Sequence, residues 1–260
     1  MTTIFYFLII FLFGKNFVLL YYRNMKYYKA NENSFAIGMF ATFELVKNKP
    51  EQVVGVYYTK NIKLTDDVNA LFDFCCKNNI PLLERTKFVE NLSGKENVHI
   101  VGEFKKFENK INAGNHLCLV NPSDMGNLGT ILRTSLGLNL KNIALIRPCA
   151  DPFNPKVVRA SMGAIFRLNV EMFDSFDDYL AKFKDNQIYT FCLDGAQFLQ
   201  QTEIDNNKPF TLVFGNEATG LPQEVANKGT KIKIKQSSEI DSFNLAISVA
   251  MAEYHFTKNV

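Results

Sequence analysis

The chain has 260 residues, 47% of them hydrophobic, and a formal net charge of +3. That length fits one large or two modest domains with ample apolar material for a core, and so weak a positive balance permits a nucleic-acid partner without arguing for one, because such a footprint depends on clustered charge. Five cysteines at positions 75, 76, 118, 149 and 192 have no CxxC spacing, which argues against a zinc site or redox motif; most of them sit in apolar runs and read as small core residues in a reducing compartment.

In chain order, residues 4–13 (IFYFLIIFLF) are wholly apolar, and FVLLYY follows Gly14-Lys15-Asn16. As a signal peptide this stretch lacks a basic start and a small-residue cleavage site. As a membrane helix it is interrupted by Lys15 and barely reaches spanning length. The preferred reading is that translation starts at Met25, with residues 1–24 an extension and the protein cytoplasmic; a membrane anchor over residues 4–22 is the alternative.

Residues 35–47 (FAIGMFATFELVK) have helical apolar spacing, and 52–59 (QVVGVYYT) are rich in strand formers after Pro50. A helix is expected over 65–77 with Thr65 as its N-cap, a short strand over 80–83, a short helix over 87–92 and a strand over 98–104. Residues 30–105 thus form a small α/β domain, and the polar stretch 106–115 is a linker to a second domain over 116–260.

The second block alternates more strongly. Strands are expected at 116–120, 142–146, 168–172, 188–193, 210–214 and 231–234, with helices at 127–138, 155–166, 176–184 and 242–256. Apolar strands alternating with helices imply an α/β fold with a parallel sheet covered on both faces. Ligands in such folds sit beyond the carboxyl ends of the strands. The polar-rich loops 121–127, 148–156, 215–220 and 235–241 all fall there.

Four stretches carry candidate chemistry. NPSDMGNLGTILRTS (121–135) runs from turn chemistry into an amphipathic helix, without the spacing of a P-loop or a dinucleotide fingerprint. Asn127 and Arg133 are six residues apart, under two helical turns, so they need not share a face. In DPFNPKVVRASMGAIFRLNV (151–170), Lys156, Arg159 and Arg167 suit the phosphates of a polyanion or simply a solvated basic face. FGNEATGLP (214–222) is either an ordinary turn or a loop presenting backbone groups to a flat heterocycle, its glycines allowing close approach. IKIKQSSEIDSFNLAISVAMAEYHF (232–256) ends a strand in a polar loop and enters a helix whose small residues allow close packing.

Together, in this order and spacing, these stretches resemble the SpoU/TrmH family of RNA ribose 2′-O-methyltransferases, of the SPOUT class. The resemblance rests on NLGTILRTS (127–135), NPKVVRASMGAIFRL (154–168), LVFGNEATGLP (212–222) and SFNLAISVA (242–250). Residues 30–105 resemble, more loosely, the small substrate-binding domain that often precedes this catalytic domain. The resemblance implies a C-terminal deep trefoil knot, an exception to the rule that chains do not thread loops. It also implies S-adenosylmethionine as cofactor, no metal, structured RNA as substrate, and a homodimer in which the first motif of one subunit completes the other's site. Gly215, Ile234 and Phe243 are then expected at the cofactor pocket. Arg133 matches the motif-one arginine that activates or positions the ribose hydroxyl, and Asn127 the asparagine that opens that motif. Glu217 matches the second-motif glutamate, and Ser242 and Asn244 the polar pair of the third.

A guanidinium with a pKa above 12 makes a poor base, so Arg133 is read as orienting the ribose and an adjacent phosphate. Lys235 stands where the family usually has proline, and Phe243 where it has leucine. Neither removes a polar group assigned to chemistry. The small domain inclines the reading to ribosomal RNA. A tRNA ribose methyltransferase, a base methyltransferase of the same class and an inactive RNA-binding member are the rivals.

Overall fold

The stretch 35–47, expected as one helix, divides at Gly38, which has φ 99°, a conformation open mainly to glycine. Before it lies strand β1 (Asn33–Ile37) and after it helix α1 (Met39–Asn48). The apolar spacing of FAIGMFATF suits either element. What decides is pairing with a distant strand, because β1 runs antiparallel to β4 (Ile100–Lys105). β2 (Val53–Tyr58), α2 (Asp66–Lys77), β3 (Leu82–Glu84) and α3 (Thr86–Ser93) complete a four-stranded sheet of order β1-β4-β2-β3. Thr65 caps α2, its hydroxyl accepting from the Val68 N–H. This computed structural model describes residues 27–94, 97–195, 197–205 and 207–258. The expectations for residues 1–24 lie outside that range. No described helix is long and apolar enough to cross a membrane.

The connecting segment 106–115 is anchored rather than free. Phe107 packs edge-on against Phe153 at 4.8 Å, Ile111 is buried, and the Ile111 N–H donates to Glu171 at 2.8 Å. Two further ties hold the small sheet to the loop that follows residue 146. Asp151 accepts from the Tyr27 hydroxyl and pairs with Lys106 at 3.0 Å, and the Ser34 hydroxyl donates to the Phe153 carbonyl.

β5 (His116–Val120), α4 (Met125–Gly137), β6 (Asn142–Ile146), α5 (Pro155–Ala160), β7 (Asn169–Phe173), α6 (Phe176–Lys182), β8 (Gln187–Phe191), β9 (Gln197–Phe198), β10 (Phe210–Phe214), α7 (Gln223–Ala226), β11 (Thr230–Lys233) and α8 (Leu245–Thr257) follow. Seven parallel strands take the order β7-β6-β5-β10-β8-β11-β9. The chain builds leftward from β5 to β7, then crosses and inserts β10 beside β5. The switch point therefore lies between β5 and β10, where such sheets bind ligands. The helix expected over 155–166 stops at Ala160. Met162 and Gly163 both take positive φ, and a separate short turn covers 164–166. α5 lies hard against α4: a Cβ on Gly129 would come within 2.4 Å of the Ala160 Cβ.

α8 carries an acid into the core. Glu253 is fully buried, bonded to Ser135 of α4, and its Oε2 has no hydrogen-bond partner among the described residues. Ser135 has one proton, which goes to the Ile131 carbonyl at 3.0 Å if a protonated Glu253 donates to its oxygen. Burial pushes the Glu253 carboxyl up to about 8, against the smaller opposing effect of the Ser135 bond. The folded chain then keeps a proton that the unfolded chain loses near its ordinary value of 4.5. Stability falls as pH rises from about 4.5 to about 8, by on the order of 5 kcal/mol, and levels off above. Glu253→Gln should flatten that fall in melting temperature. Parallel slopes for variant and wild type over this range would refute the buried-acid assignment.

Candidate active site

β5 and β10 are parallel neighbours, with Leu119 opposite Phe214, so the loops that leave them lie side by side. The first, residues 121–124, ends at Asp124. Its Oδ1 caps α4 by accepting from the Asn127 N–H at 2.7 Å. The second loop closes on itself: Asn216 and Gly220 exchange backbone hydrogen bonds of 3.0 and 2.9 Å. Only glycine fits at 215, where a Cβ would stand 2.2 Å from the Gly220 backbone. Gly220 takes φ 71° to complete the turn.

Glu217 joins the two loops. Its carboxylate accepts from the Ser123 N–H (3.2 Å), the Ser123 hydroxyl (3.0 Å) and the Asp124 N–H (3.2 Å), and at 3.4 Å from the Asn127 amide. Desolvation pushes its carboxyl upward. The backbone N–H groups of Glu217 itself, Ser123 and Asp124, with the Ser123 hydroxyl, outweigh that and hold it below the ordinary value. An anion facing the start of α4 also meets the positive end of the helix dipole.

The third stretch arrives through Asn244. Its Oδ1 caps α8 by accepting from the Ala246 N–H at 2.8 Å, and its Nδ2 donates to Asn127 Oδ1 at 2.9 Å. Glu217, Asn127 and Asn244 thus form one hydrogen-bonded chain across residues far apart in sequence. The other expected residues stand apart from it. Arg133 is exposed on α4 and has no ion pair among the described residues. Its offset of six residues turns it about 240° around the helix from Asn127. Ser242 is exposed in the loop before α8 and has no side-chain hydrogen bond among the described residues. Ile234 follows β11 and is half-buried against the main core, and Phe243 is half-buried just before α8.

Sequence reasoning passed over Ser123, Asp124 and Asn216. Asp124 was findable as an N-cap immediately before an apolar-periodic helix. Asn216 and Ser123 carry no local signal, because their partners come from the other loop. Among the described residues no group of three metal-ligating side chains is gathered.

Comparison with known proteins places these features in context. The family model described as "SpoU rRNA Methylase family" matches residues 114–254. An uncharacterized tRNA/rRNA methyltransferase of Synechocystis sp. is 34% identical over 139 residues, 53% of this chain and 51% of that protein. The 23S rRNA (guanosine(2553)-2′-O)-methyltransferase of Bacillus subtilis is 30% identical over 135 residues, 51% of this chain and 53% of that protein. The chain therefore matches about half the length of these two relatives. In fold it is similar to the AdoMet-bound rRNA methyltransferase from Sinorhizobium meliloti, with a TM-score of 0.74 at 23% identity over 88% of each chain.

The Asn127–Asn244 bond should be measurable as coupling. In a double-mutant cycle on Asn127→Ala and Asn244→Ala, unfolding free energies should be non-additive by about 1 kcal/mol. Additive losses would mean that the two amides act independently.

Proposed function

Because the chain belongs to the SpoU rRNA methylase family, we propose that it transfers a methyl group from S-adenosylmethionine to a ribose 2′-hydroxyl of structured RNA, ribosomal RNA in preference to transfer RNA. The observation that carries this reading is the Glu217–Asn127–Asn244 chain, which unites three separate stretches at the sheet's switch point. When bound, S-adenosylmethionine supplies a methyl group on a sulfonium, whose transfer requires no metal. The polypeptide's part is then positioning and stabilisation of developing charge.

In this reading the backbone of Gly215, Ile234 and Phe243 holds the cofactor's base, in a deep trefoil knot formed by the loops 214–222 and 234–245. Glu217 and Asn127 order the site, and Ser242 and Asn244 flank it. The sheet of residues 33–105 serves as substrate-binding domain. Its tight docking on the second domain suits a rigid RNA, and the relative from Bacillus subtilis bears an rRNA name. The tRNA reading keeps a place because the Synechocystis relative is named for both RNAs. The protein acts in the cytoplasm.

Arg133 completes the active site of a second subunit. Two observations support the homodimer. Arg133 faces away from Asn127 of its own chain, and α8 exposes Ile247 (49%), Met251 (37%) and Tyr254 (66%) along one helical stripe. A second copy covers that stripe.

Arg133→Ala should abolish methyl transfer to RNA while leaving S-adenosylmethionine affinity, read by calorimetry, nearly unchanged. A heterodimer of one Arg133→Ala and one Asn244→Ala subunit retains one intact composite site, so it should keep about half the wild-type rate. No activity in that heterodimer would place Arg133 in its own subunit's site. Mapping 2′-O-methyl nucleotides in total RNA with and without the gene identifies the target. A base-methylated nucleoside, or loss confined to transfer RNA, would correct the substrate.

A further inference from the structure

We propose that Ser123 and Asn216 are positioning residues of this site, fixing the Glu217 carboxylate and, through it, the amide of Asn127. The effect on rate rests on the methyltransferase reading above; the geometry does not.

The direction of every bond in the chain is forced. Asn216 Oδ1 accepts from the Ala218 and Thr219 N–H groups at 2.9 and 3.2 Å. Its amide therefore cannot flip, and Nδ2 faces the Asn121 carbonyl at 2.8 Å and the Ser123 hydroxyl at 3.1 Å. Nδ2 can only donate and a carboxylate can only accept. The Ser123 proton must then point at Glu217 Oε2, 3.0 Å away. Glu217, kept anionic by these donors, draws the Asn127 Nδ2 toward itself and leaves Asn127 Oδ1 for Asn244. Asn244 cannot turn either, since its Oδ1 holds the first turn of α8. One orientation of each amide satisfies all five side chains.

The arrangement also limits what Glu217 can do. Both oxygens are occupied by donors from residues 123, 124, 127 and 216, so it is a brace and not a proton acceptor. The other carboxylate here, Asp124, has Oδ1 committed to the α4 cap. Ser123 is exposed, and its hydroxyl orients the brace through its bond to Oε2.

The test uses the full chain. In protein labelled with ¹³C at glutamate side-chain carboxyls, the Glu217 titration should move to higher pH in Ser123→Ala. It should move further in Asn216→Asp, which sets a second carboxylate beside it. With rRNA and S-adenosylmethionine, kcat of Ser123→Ala should fall about tenfold, the worth of one bond to a charged acceptor. KM for the cofactor should stay within about twofold. Ser123→Thr, which restores the hydroxyl, should recover the rate, and in Asn216→Asp the acid limb of the pH–rate profile should shift upward. An unmoved Glu217 titration in both variants overturns the positioning role whatever the activity. So does a wild-type kcat in Ser123→Ala. A wild-type chain that methylates no ribose, with the titration shifts present, overturns the methyltransferase reading and leaves the brace standing.

Discussion

A half-buried carboxylate must find donors, and Glu217 finds them at the start of α4. Hydrogen bonds to a charged acceptor contribute about 1.5–3 kcal/mol each. The two backbone N–H groups of Ser123 and Asp124 therefore weld the loop after β5 to the loop after β10. The same contact explains what first looks anomalous in NPSDMGNLGTILRTS. A helix N-terminus following a strand is a ready anion site, yet this one lacks phosphate-loop spacing. Its anions are already supplied, by Glu217 from outside and by Asp124 as the cap. The helix start is closed to a nucleotide phosphate and is used to order Asn127.

Much of this was legible in the sequence, for reasons that also mark where legibility ends. Parallel strands buried on both faces read as apolar runs, so β5, β6 and β10 fall at their expected residues. Thr65 at the cap of α2 follows from local chemistry alone. The failures are non-local. β1 hid inside an apparent helix because its strand character comes from β4, more than sixty residues away. The helix over 155–166 broke early because Gly163 must leave room for α1: a Cβ there would stand 2.8 Å from the Glu44 Cβ. Ser123 and Asn216 gain meaning only once β10 lies beside β5, and strand order is not written in periodicity.

The two sheets share one core. Phe104 of the small sheet packs edge-to-face on Phe166 at 5.0 Å, and Phe107 of the connector meets both Phe153 and Phe166. Aromatic pairs of this kind are worth about 0.5–1.5 kcal/mol beyond the area they bury. Asp151, with Tyr27 and Lys106 on it, adds a polar tie at the edge of that cluster. The small sheet is thereby set at a fixed angle to the switch point, in contrast to domains on a loose tether.

That rigidity reaches the site through glycines. α1 approaches the end of α5 at Gly163, and α5 presses on α4 at Gly129, where a Cβ would also come within 2.9 Å of the Val157 carbonyl. Each contact is too close for any side chain, so neither helix can slide without meeting backbone. α4 in turn carries Asn127 on its inner face and Arg133 on its outer face. A load on the small sheet therefore bears on the element that presents both groups, with no flexible link between. The glycine of the first motif is then needed for helix–helix contact rather than for a ligand, and the exposed Arg133 projects from a helix that is itself pressed against its neighbour at backbone distance.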